Sequence, residues 1–219
     1  MTKKNVIIYG GGKLGLYLHS LIMNDFSKEY QIIGFVDDIL PTSNNHCGSG
    51  LPLFGKISEL DSKIKFKNSK INLFLGIGYK DLKKRLDAFR VAKRMGYNFE
   101  TLVHHSSIIC SEVKIEEGCF IGPGSVIDYG SKLSFANFID TKSVVGEFTQ
   151  IGEGNYISSN STLCGRVSMG NCNFLGASST ISNEINIGNN NEININIAVI
   201  RNIKNNFKVI ENRKIYYLN

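Results

Sequence analysis

The stretch Ile121–Leu175, IGPGSVIDYGSKLSFANFIDTKSVVGEFTQIGEGNYISSNSTLCGRVSMGNCNFL, carries an aliphatic residue at every sixth position: Ile121, Ile127, Leu133, Ile139, Val145, Ile151, Ile157, Leu163, Met169 and Leu175. The register runs outward both ways, back to Val103 and on to Val199, for seventeen consecutive hits. Four positions after each hit the residue is usually small or polar, as in Ser125, Ser131, Asn137, Ser143, Thr149, Asn155 and Ser161. Glycine often follows the aliphatic directly, as in Ile121-Gly122, Val145-Gly146 and Ile151-Gly152. A period of six matches neither a 3.6-residue helix nor an alternating antiparallel strand. It matches a hexapeptide parallel β-helix, in which three short strands close one triangular coil of about 18 residues. Each aliphatic then points inward and stacks on its equivalent one coil away, while the small residue fits the corner. One coil cannot bury its own core, so stability comes from stacking. About 97 residues make between five and six coils. The asparagines late in the repeat (Asn183, Asn186, Asn189, Asn190, Asn191, Asn194, Asn196) predict corners with left-handed backbone angles.

Residues 1–102 follow a different grammar. Asn5–Tyr9 reads as a buried strand, leading through Gly10-Gly11-Gly12-Lys13-Leu14-Gly15 into an apolar helix that ends near Phe26. A second strand, Gln31–Val36, ends at Asp37-Asp38, and a loop with Pro41, Asn44, Asn45, Gly48, Gly50 and Pro52 follows. Ile71–Leu75 is a third strand, running into Gly76-Ile77-Gly78. The pattern over Tyr79–Met95 is helical, with Leu82, Leu86, Phe89 and Met95 on one face. Its basic residues, Lys80, Lys83, Lys84, Arg85, Arg90, Lys93 and Arg94, read as a solvated face. Strand–helix alternation predicts a small doubly wound, Rossmann-like α/β domain over 1–102, ahead of a solenoid domain over 103–219.

Hydrophobic residues make up 42% and charged residues 20% of the 219, which excludes wholesale disorder. No apolar run approaches the roughly 18 residues of a membrane-spanning helix. The apolar run in MTKKNVIIYGGG is too short for the 7–15-residue core of a signal peptide, so cytoplasm is the expected compartment and no membrane partner is expected. The net charge of +6 suits a phosphate-bearing small ligand, and no Lys/Arg tract argues for nucleic acid. Five cysteines (Cys47, Cys110, Cys119, Cys164, Cys172) with no CxxC pair predict reduced thiols and no metal site. The histidines are His19, His46, His104 and His105, so none lies in the repeats beyond residue 105.

Gly10-x-Gly12-x-x-Gly15, after a strand and opening a helix, is a phosphate-cradle pattern: glycines admit the ligand, and the helix N-terminus offers free N–H groups. Asp37, 22 residues past Gly15, stands where a ribose-binding carboxylate usually lies. A domain of this size favours a mononucleotide or nucleotide-sugar over a dinucleotide. Gly76 and Gly78 would flank the same crevice.

The loop Gly10-Gly11-Gly12-Lys13-Leu14-Gly15 with Phe35-Val36-Asp37-Asp38, joined to hexapeptide coils and ending in Val209-Ile210-Glu211-Asn212, resembles the NeuD/PglD family of bacterial sugar acyltransferases. The resemblance spans nearly the whole chain and implies a left-handed β-helix, a homotrimer, and transfer of an acyl group, most simply from acetyl-CoA, to a nucleotide-linked amino sugar for surface polysaccharide. By position it implies that Lys13, Leu14 and Gly15 border the sugar nucleotide, where the glycine pattern also sets Gly12 and Gly78, with Asp37 and Asp38 reading the nucleoside. The stretch Val209–Lys214 matches the family's exit from the helix, with Asn212 in register. The departure is catalytic. Where the family reads VVDHDCxIG, this chain reads Val144-Val145-Gly146-Glu147-Phe148-Thr149-Gln150-Ile151-Gly152, so Glu147 replaces the histidine base. Burial against Phe148 and a neighbouring subunit would favour a carboxylate as general base. Gly165, one coil on, would hold the thioester oxyanion through its N–H. The resemblance also places Tyr156 and Ala177 along the CoA arm. An O-acyltransferase and a non-catalytic trimeric sugar-nucleotide-binding scaffold remain open alternatives.

Overall fold

The computed structural model describes residues 2–40, 48–64 and 71–210. Cys47, the loop residues Pro41, Asn44, Asn45 and His46, and the tail beyond Ile210, with Glu211, Asn212 and Lys214, lie outside the described residues. The chain divides into two compact units, one formed by Met1–Lys80 and Asp87–Glu100, the other by Asp81–Leu86 and Thr101–Asn219. The described residues include no helix long and apolar enough to cross a membrane.

In the first unit, β1 (Lys4–Tyr9) pairs in parallel with β2 (Tyr30–Val36) on one side and β3 (Asn72–Leu75) on the other. Helix α1 (Lys13–Asp25) connects β1 to β2, and its Leu18 and Ile22 are buried with Ile7, Ile8, Phe35 and Leu73. Four buried residues close β1, so the strand reads as a continuous apolar run, as a strand covered on both faces must. At the start of the strands, Glu100 accepts hydrogen bonds from Lys4, Tyr30 and Asn72.

The second unit is a left-handed parallel β-solenoid of about six turns, whose two-residue strands run from β4 (Leu102–Val103) to β21 (Lys208–Val209) in sheets of seven, six and five. Strands 18 residues apart pair in register, as Val144 with Val126 and Thr162. The sixth-position aliphatics are the core: Ile121, Ile127, Ile139, Val145, Ile157 and Leu163 are all fully buried. In the first turn, which has a neighbour on one side only, Ile109 stays 39% exposed. Gly146 shows why glycine follows the aliphatic, because a Cβ there would stand 2.7 Å from the backbone of Cys164 and Gly165 on the next turn.

The polar corner residues are fully buried and hydrogen-bonded between turns. Ser131 donates to the Gly146 carbonyl at 2.8 Å, and Ser161 to that of Gly176 at 3.0 Å. Asn137, Asn155, Asn173 and Asn191 form a buried ladder in which each side-chain amide donates to the Oδ1 of the asparagine 18 residues earlier. This corrects the reading of the asparagines as residues for left-handed angles. Of those seven, only Asn190 and Asn196 have positive φ. The left-handed position also recurs every six residues, and Glu112, Lys142, Phe148 and Arg166 fill it as well as glycine. The last turn is shorter than the rest: Glu192 pairs with Lys208, 16 residues on, and Ile203 takes the inward place. The solenoid therefore continues to Val209, past the end of the six-residue period.

Helix α3 (Leu82–Arg94) is divided between the units. Leu82, Leu86 and Phe89 are buried as the pattern requires, but Met95 lies beyond the helix and is 40% exposed. Arg85 is the larger correction, because it is fully buried instead of solvated. Its guanidinium donates to the Ala136 carbonyl and lies among Cys119, Tyr156 and Cys172. Burial lowers its pKa to about 10, so the group stays charged at neutral pH. The cover it provides lies over an outward row of rings stacked turn on turn, Phe120 on Phe138 at 4.4 Å and Phe138 on Tyr156 at 4.6 Å. Cys110, Cys119, Cys164 and Cys172 are free thiols, and burial pushes that of Cys119 up to about 12.

Candidate functional site

Each unit carries one candidate site. In the first, the strand order β2-β1-β3 means the chain leaves β1 in one direction and returns on its other side. A crevice beyond the carboxyl end of β1 is where such a sheet binds ligands. The glycines there divide into two kinds. Gly10 has φ +117°, and a Cβ on it would stand 2.6 Å from Gly76, while one on Gly15 would stand 1.9 Å from the Gly10 carbonyl. These glycines let loop, helix and β3 touch. Gly12 and Gly78, by contrast, have open space where a Cβ would be. Gly12 is also the N-cap of α1, which has no side-chain cap and no acidic residue in its first turn. Its first N–H groups remain available to an anion. Lys13 is exposed at that terminus and Leu14 is half-buried.

Asp37 is already engaged. Its Oδ2 accepts from the Gly11 N–H at 2.8 Å, and its Oδ1 accepts from Ile39 and Leu40 at 2.9 Å. Asp38 accepts from the Tyr9 hydroxyl and, at 2.9 Å, from the Ile57 N–H. Burial and then the Asp38 hydrogen bond raise the Tyr9 phenol far above its ordinary range, so it stays a donor. Asp37 therefore holds the glycine loop in shape. A carboxylate has about four acceptor positions, so each retains room for a further donor.

In the solenoid, Glu147 follows β11 (Val144–Val145) and Gly165 follows β14 (Thr162–Leu163), the strand directly paired with it. The Glu147 carboxylate lies against Gly165: a Cβ at 165 would be 2.1 Å from Oε1 and 2.4 Å from Oε2. A side chain at 165 would therefore displace the carboxylate from this position. The Gly165 carbonyl accepts from Glu184 at 3.1 Å, whereas its N–H meets no acceptor among the described residues. Burial of Glu147 by a neighbouring subunit is not a matter a single chain decides. Within the one chain its side chain is 38% exposed, and Oε1 accepts from Arg166 Nη1 at 2.7 Å, leaving Oε2 open. Arg166 Nε donates in turn to Glu184 at 3.0 Å. Sequence reasoning passed over Arg166, although its place one turn above Phe148 follows from the 18-residue repeat. Phe148 is 52% exposed and meets Tyr129 edge-on at 5.3 Å.

Tyr156 and Ala177 do not join this corner. Tyr156 is 6% exposed and stacked between Phe138 and Phe174 on the seven-stranded sheet, so it presents no face to a cofactor arm in this structure. Ala177 is half-buried at the corner after the strand Phe174–Leu175, and its carbonyl accepts from Asn196 at 2.9 Å. His104 begins the solenoid, with Nδ1 2.8 Å from the Ser106 hydroxyl. Among the described residues no group of three or more His, Cys, Asp or Glu could hold a metal ion.

No family profile matches the sequence, and no curated protein sequence matches it. Solved structures do. A His-to-Asn mutant of perosamine N-acetyltransferase from Caulobacter crescentus, in complex with CoA and GDP-perosamine, is 22% identical and superposes with a TM-score of 0.82 over 94% of this chain and 93% of that one. WeeI from Acinetobacter baumannii is 17% identical, with a TM-score of 0.78 over 95% and 98%. The acetyltransferase domain of PglB from Neisseria gonorrhoeae, in complex with acetyl coenzyme A, is 17% identical, with a TM-score of 0.62 over 93% and 94%. At these identities the similarity establishes the fold, and it extends over more than nine-tenths of the chain.

Proposed function

We propose that this protein is an acyl-CoA-dependent N-acyltransferase, with acetyl-CoA as donor and a nucleotide-linked amino sugar as acceptor, acting in the cytoplasm as a homotrimer in surface-glycan synthesis. The shared fold with structures holding CoA and GDP-perosamine supports the substrate classes. Gly12, Lys13, Leu14 and Gly78 would border the crevice that takes the nucleotide, with Gly15 and Asp37 shaping the loop and Asp38 beside it. The observation that carries the reading is the Glu147 carboxylate lying on Gly165, an acceptor and an unengaged N–H donor on adjoining turns.

The reaction follows from that pair. The sugar amine attacks the thioester carbonyl carbon, and the Gly165 N–H stabilises the oxyanion that forms. Glu147 Oε2 accepts the proton the amine must lose. The C–S bond then breaks, and the proton passes to sulfur, so the products are the amide and the free CoA thiol. Ala177 would line the pantetheine path. For assembly, the six-stranded sheet turns Ile108, Val126, Val144, Thr162, Thr180 and Ala198 outward, and Ile108 is 58% exposed. The five-stranded sheet turns out Lys114, Lys132, Gln150, Ser168 and Asn186. The first of these faces supports self-association through apolar contact.

Thiol release from acetyl-CoA in the presence of nucleotide-linked amino sugars tests the activity. Glu147→Gln keeps shape and hydrogen bonding but cannot take a proton, and should lower kcat by roughly 10²–10⁴-fold with both ligands still bound. Turnover within a fewfold of wild type would remove Glu147 from the chemistry. The Glu147–Arg166 ion pair favours one rival reading, a structural corner on a non-catalytic sugar-nucleotide-binding protein, and absence of thiol release with every acceptor would select it.

A further inference from the structure

The Glu147 carboxylate does not stand alone on its corner. Three residues on successive turns are tied together by side chain and main chain. Arg166 Nη1 donates to Glu147 Oε1 at 2.7 Å, and Arg166 Nε donates to Glu184 Oε1 at 3.0 Å. The Arg166 N–H donates to the Glu147 carbonyl at 2.8 Å, and the Glu184 N–H to the Gly165 carbonyl at 3.1 Å. Arg166 occupies the left-handed corner position, at φ +60°, and Glu184 the same position one turn on, at φ +63°. The side chains are 38%, 50% and 70% exposed for Glu147, Arg166 and Glu184.

Exposure of this degree argues against a stabilising purpose, since surface ion pairs contribute little to folding. What the arrangement fixes is geometry. A free glutamate has three rotatable bonds, and an exposed one would sample several rotamers. Here the planar guanidinium grips one carboxylate oxygen while its other edge is braced by Glu184, and a rigid fork of this kind sets an angle as well as a distance. The result is a carboxylate laid flat against Gly165 with Oε2 as the open oxygen. We infer that Arg166 is a positioning residue for the acyl transfer: it orients the Glu147 carboxylate over Gly165, and Glu184 orients Arg166. This rests on the reading of Glu147 as the base. Arg166 itself takes no proton and touches no reacting atom.

The test is a cycle of Arg166→Met, Glu147→Gln and the double variant, assayed for thiol release with acetyl-CoA and the accepted nucleotide-linked amino sugar. A base held loosely costs turnover, not binding, so Arg166→Met should lower kcat by about 10–100-fold with each KM within about threefold of wild type. Arg166→Lys should recover part of that loss, since one ammonium can meet Glu147 without bridging to Glu184. In the Glu147→Gln background, Arg166→Met should cost nothing further, because residues acting as a unit are non-additive. Equal losses in both backgrounds, or a raised KM with kcat unchanged, would overturn the positioning role while leaving Glu147 as base. A Glu147→Gln variant with normal turnover would overturn the base reading and this inference together. Melting curves exclude unfolding as the cause, and should Arg166→Met not fold, Arg166→Lys carries the same comparison.

Discussion

Asn155 offers a direct measure of what the buried amide ladder contributes. Its Nδ2 donates to Asn137 Oδ1 at 3.0 Å, and its own Oδ1 accepts from the Asn173 main-chain N–H at 2.8 Å and from Asn173 Nδ2 at 3.0 Å. In Asn155→Ala, Asn137 Oδ1 keeps the Asn155 N–H at 2.9 Å, and Asn173 Nδ2 keeps the Gly188 carbonyl at 2.9 Å. Two donors lose their acceptor, the Asn173 main-chain N–H and one hydrogen of its side-chain amide, in a fully buried residue. A stranded buried donor costs about 1–3 kcal/mol, and the space left by the amide adds to it. A total of about 2–4 kcal/mol corresponds to a fall of roughly 4–16 °C in the melting temperature of a chain this long. The control is Asn205→Ala. Its Oδ1 accepts from Asn189 at 2.7 Å on the exposed surface, where water can replace it, so the cost should stay near 0.5 kcal/mol, as for about any surface change. Far-ultraviolet circular dichroism read against temperature gives both numbers. Equal melting of Asn155→Ala and wild type would mean that the ladder is incidental and that aliphatic stacking alone holds the turns.

Ile151→Asp places an unpaired charge at a position 2% exposed and should prevent the solenoid from folding, so soluble protein that melts normally would refute the core assignment. Asp37→Ala removes the acceptor of three main-chain N–H groups and should weaken sugar-nucleotide binding by about 1–3 kcal/mol in calorimetry, with acetyl-CoA affinity unchanged. Burial alone would raise the Glu100 pKa, but hydrogen bonds from Asn72, Lys4 and Tyr30 outweigh it and hold the carboxyl below its ordinary value of 4.5. A depressed carboxyl stabilises the fold fully above its unfolded pKa, and that stability is lost as pH falls through the folded value. The first unit should therefore have a steeper acid limb in urea titrations than its Glu100→Gln variant, and identical limbs would refute the argument.

Period six was legible because each inward position demands an aliphatic, and a single miss would open the stack. The period of 18 was harder to see. It set Gly165 above Glu147 but left other contacts between turns unread, because they join residues of unlike type, as Arg166 with Glu184. Residue identity carried the asparagine ladder in plain view at 137, 155, 173 and 191, but the eye set on corners reads asparagine as a turn residue. Arg85 misled for a different reason. Charge predicts solvent only when nothing apolar needs covering, and the row Phe120, Phe138, Tyr156 and Phe174 faces outward at one position per turn. Reading those four positions together would have predicted a covered face, with Tyr156 beneath it. The shortened last turn left no signal, because two missing residues look the same as the end of a repeat.

Stacking also explains how the residue at a surface corner can change without disturbing the fold. Inward side chains and polar corner groups are each contacted by the turns above and below, so a substitution there is felt over 36 residues of chain or about two turns. The position of Glu147 is different. Its backbone is fixed by Val145 inside and by the Arg166 N–H above, while its side chain projects past the corner and meets Gly165 and Arg166. A change of side chain at 147 leaves the inward stack untouched, so long as the residue one turn on leaves room for it. The constraint on the chemistry therefore falls on the neighbouring turn. A carboxylate in that place needs Gly165 beneath it and a cation beside it, and both are supplied by consecutive residues, Gly165 and Arg166. Changing Gly165 to alanine would force the Glu147 carboxylate off the corner, since a Cβ would lie within 2.4 Å of three of its atoms. Loss of turnover with a normal melting temperature would follow from displacement of the base alone, and an active Gly165→Ala variant would show that the contact between these turns has no part in the reaction.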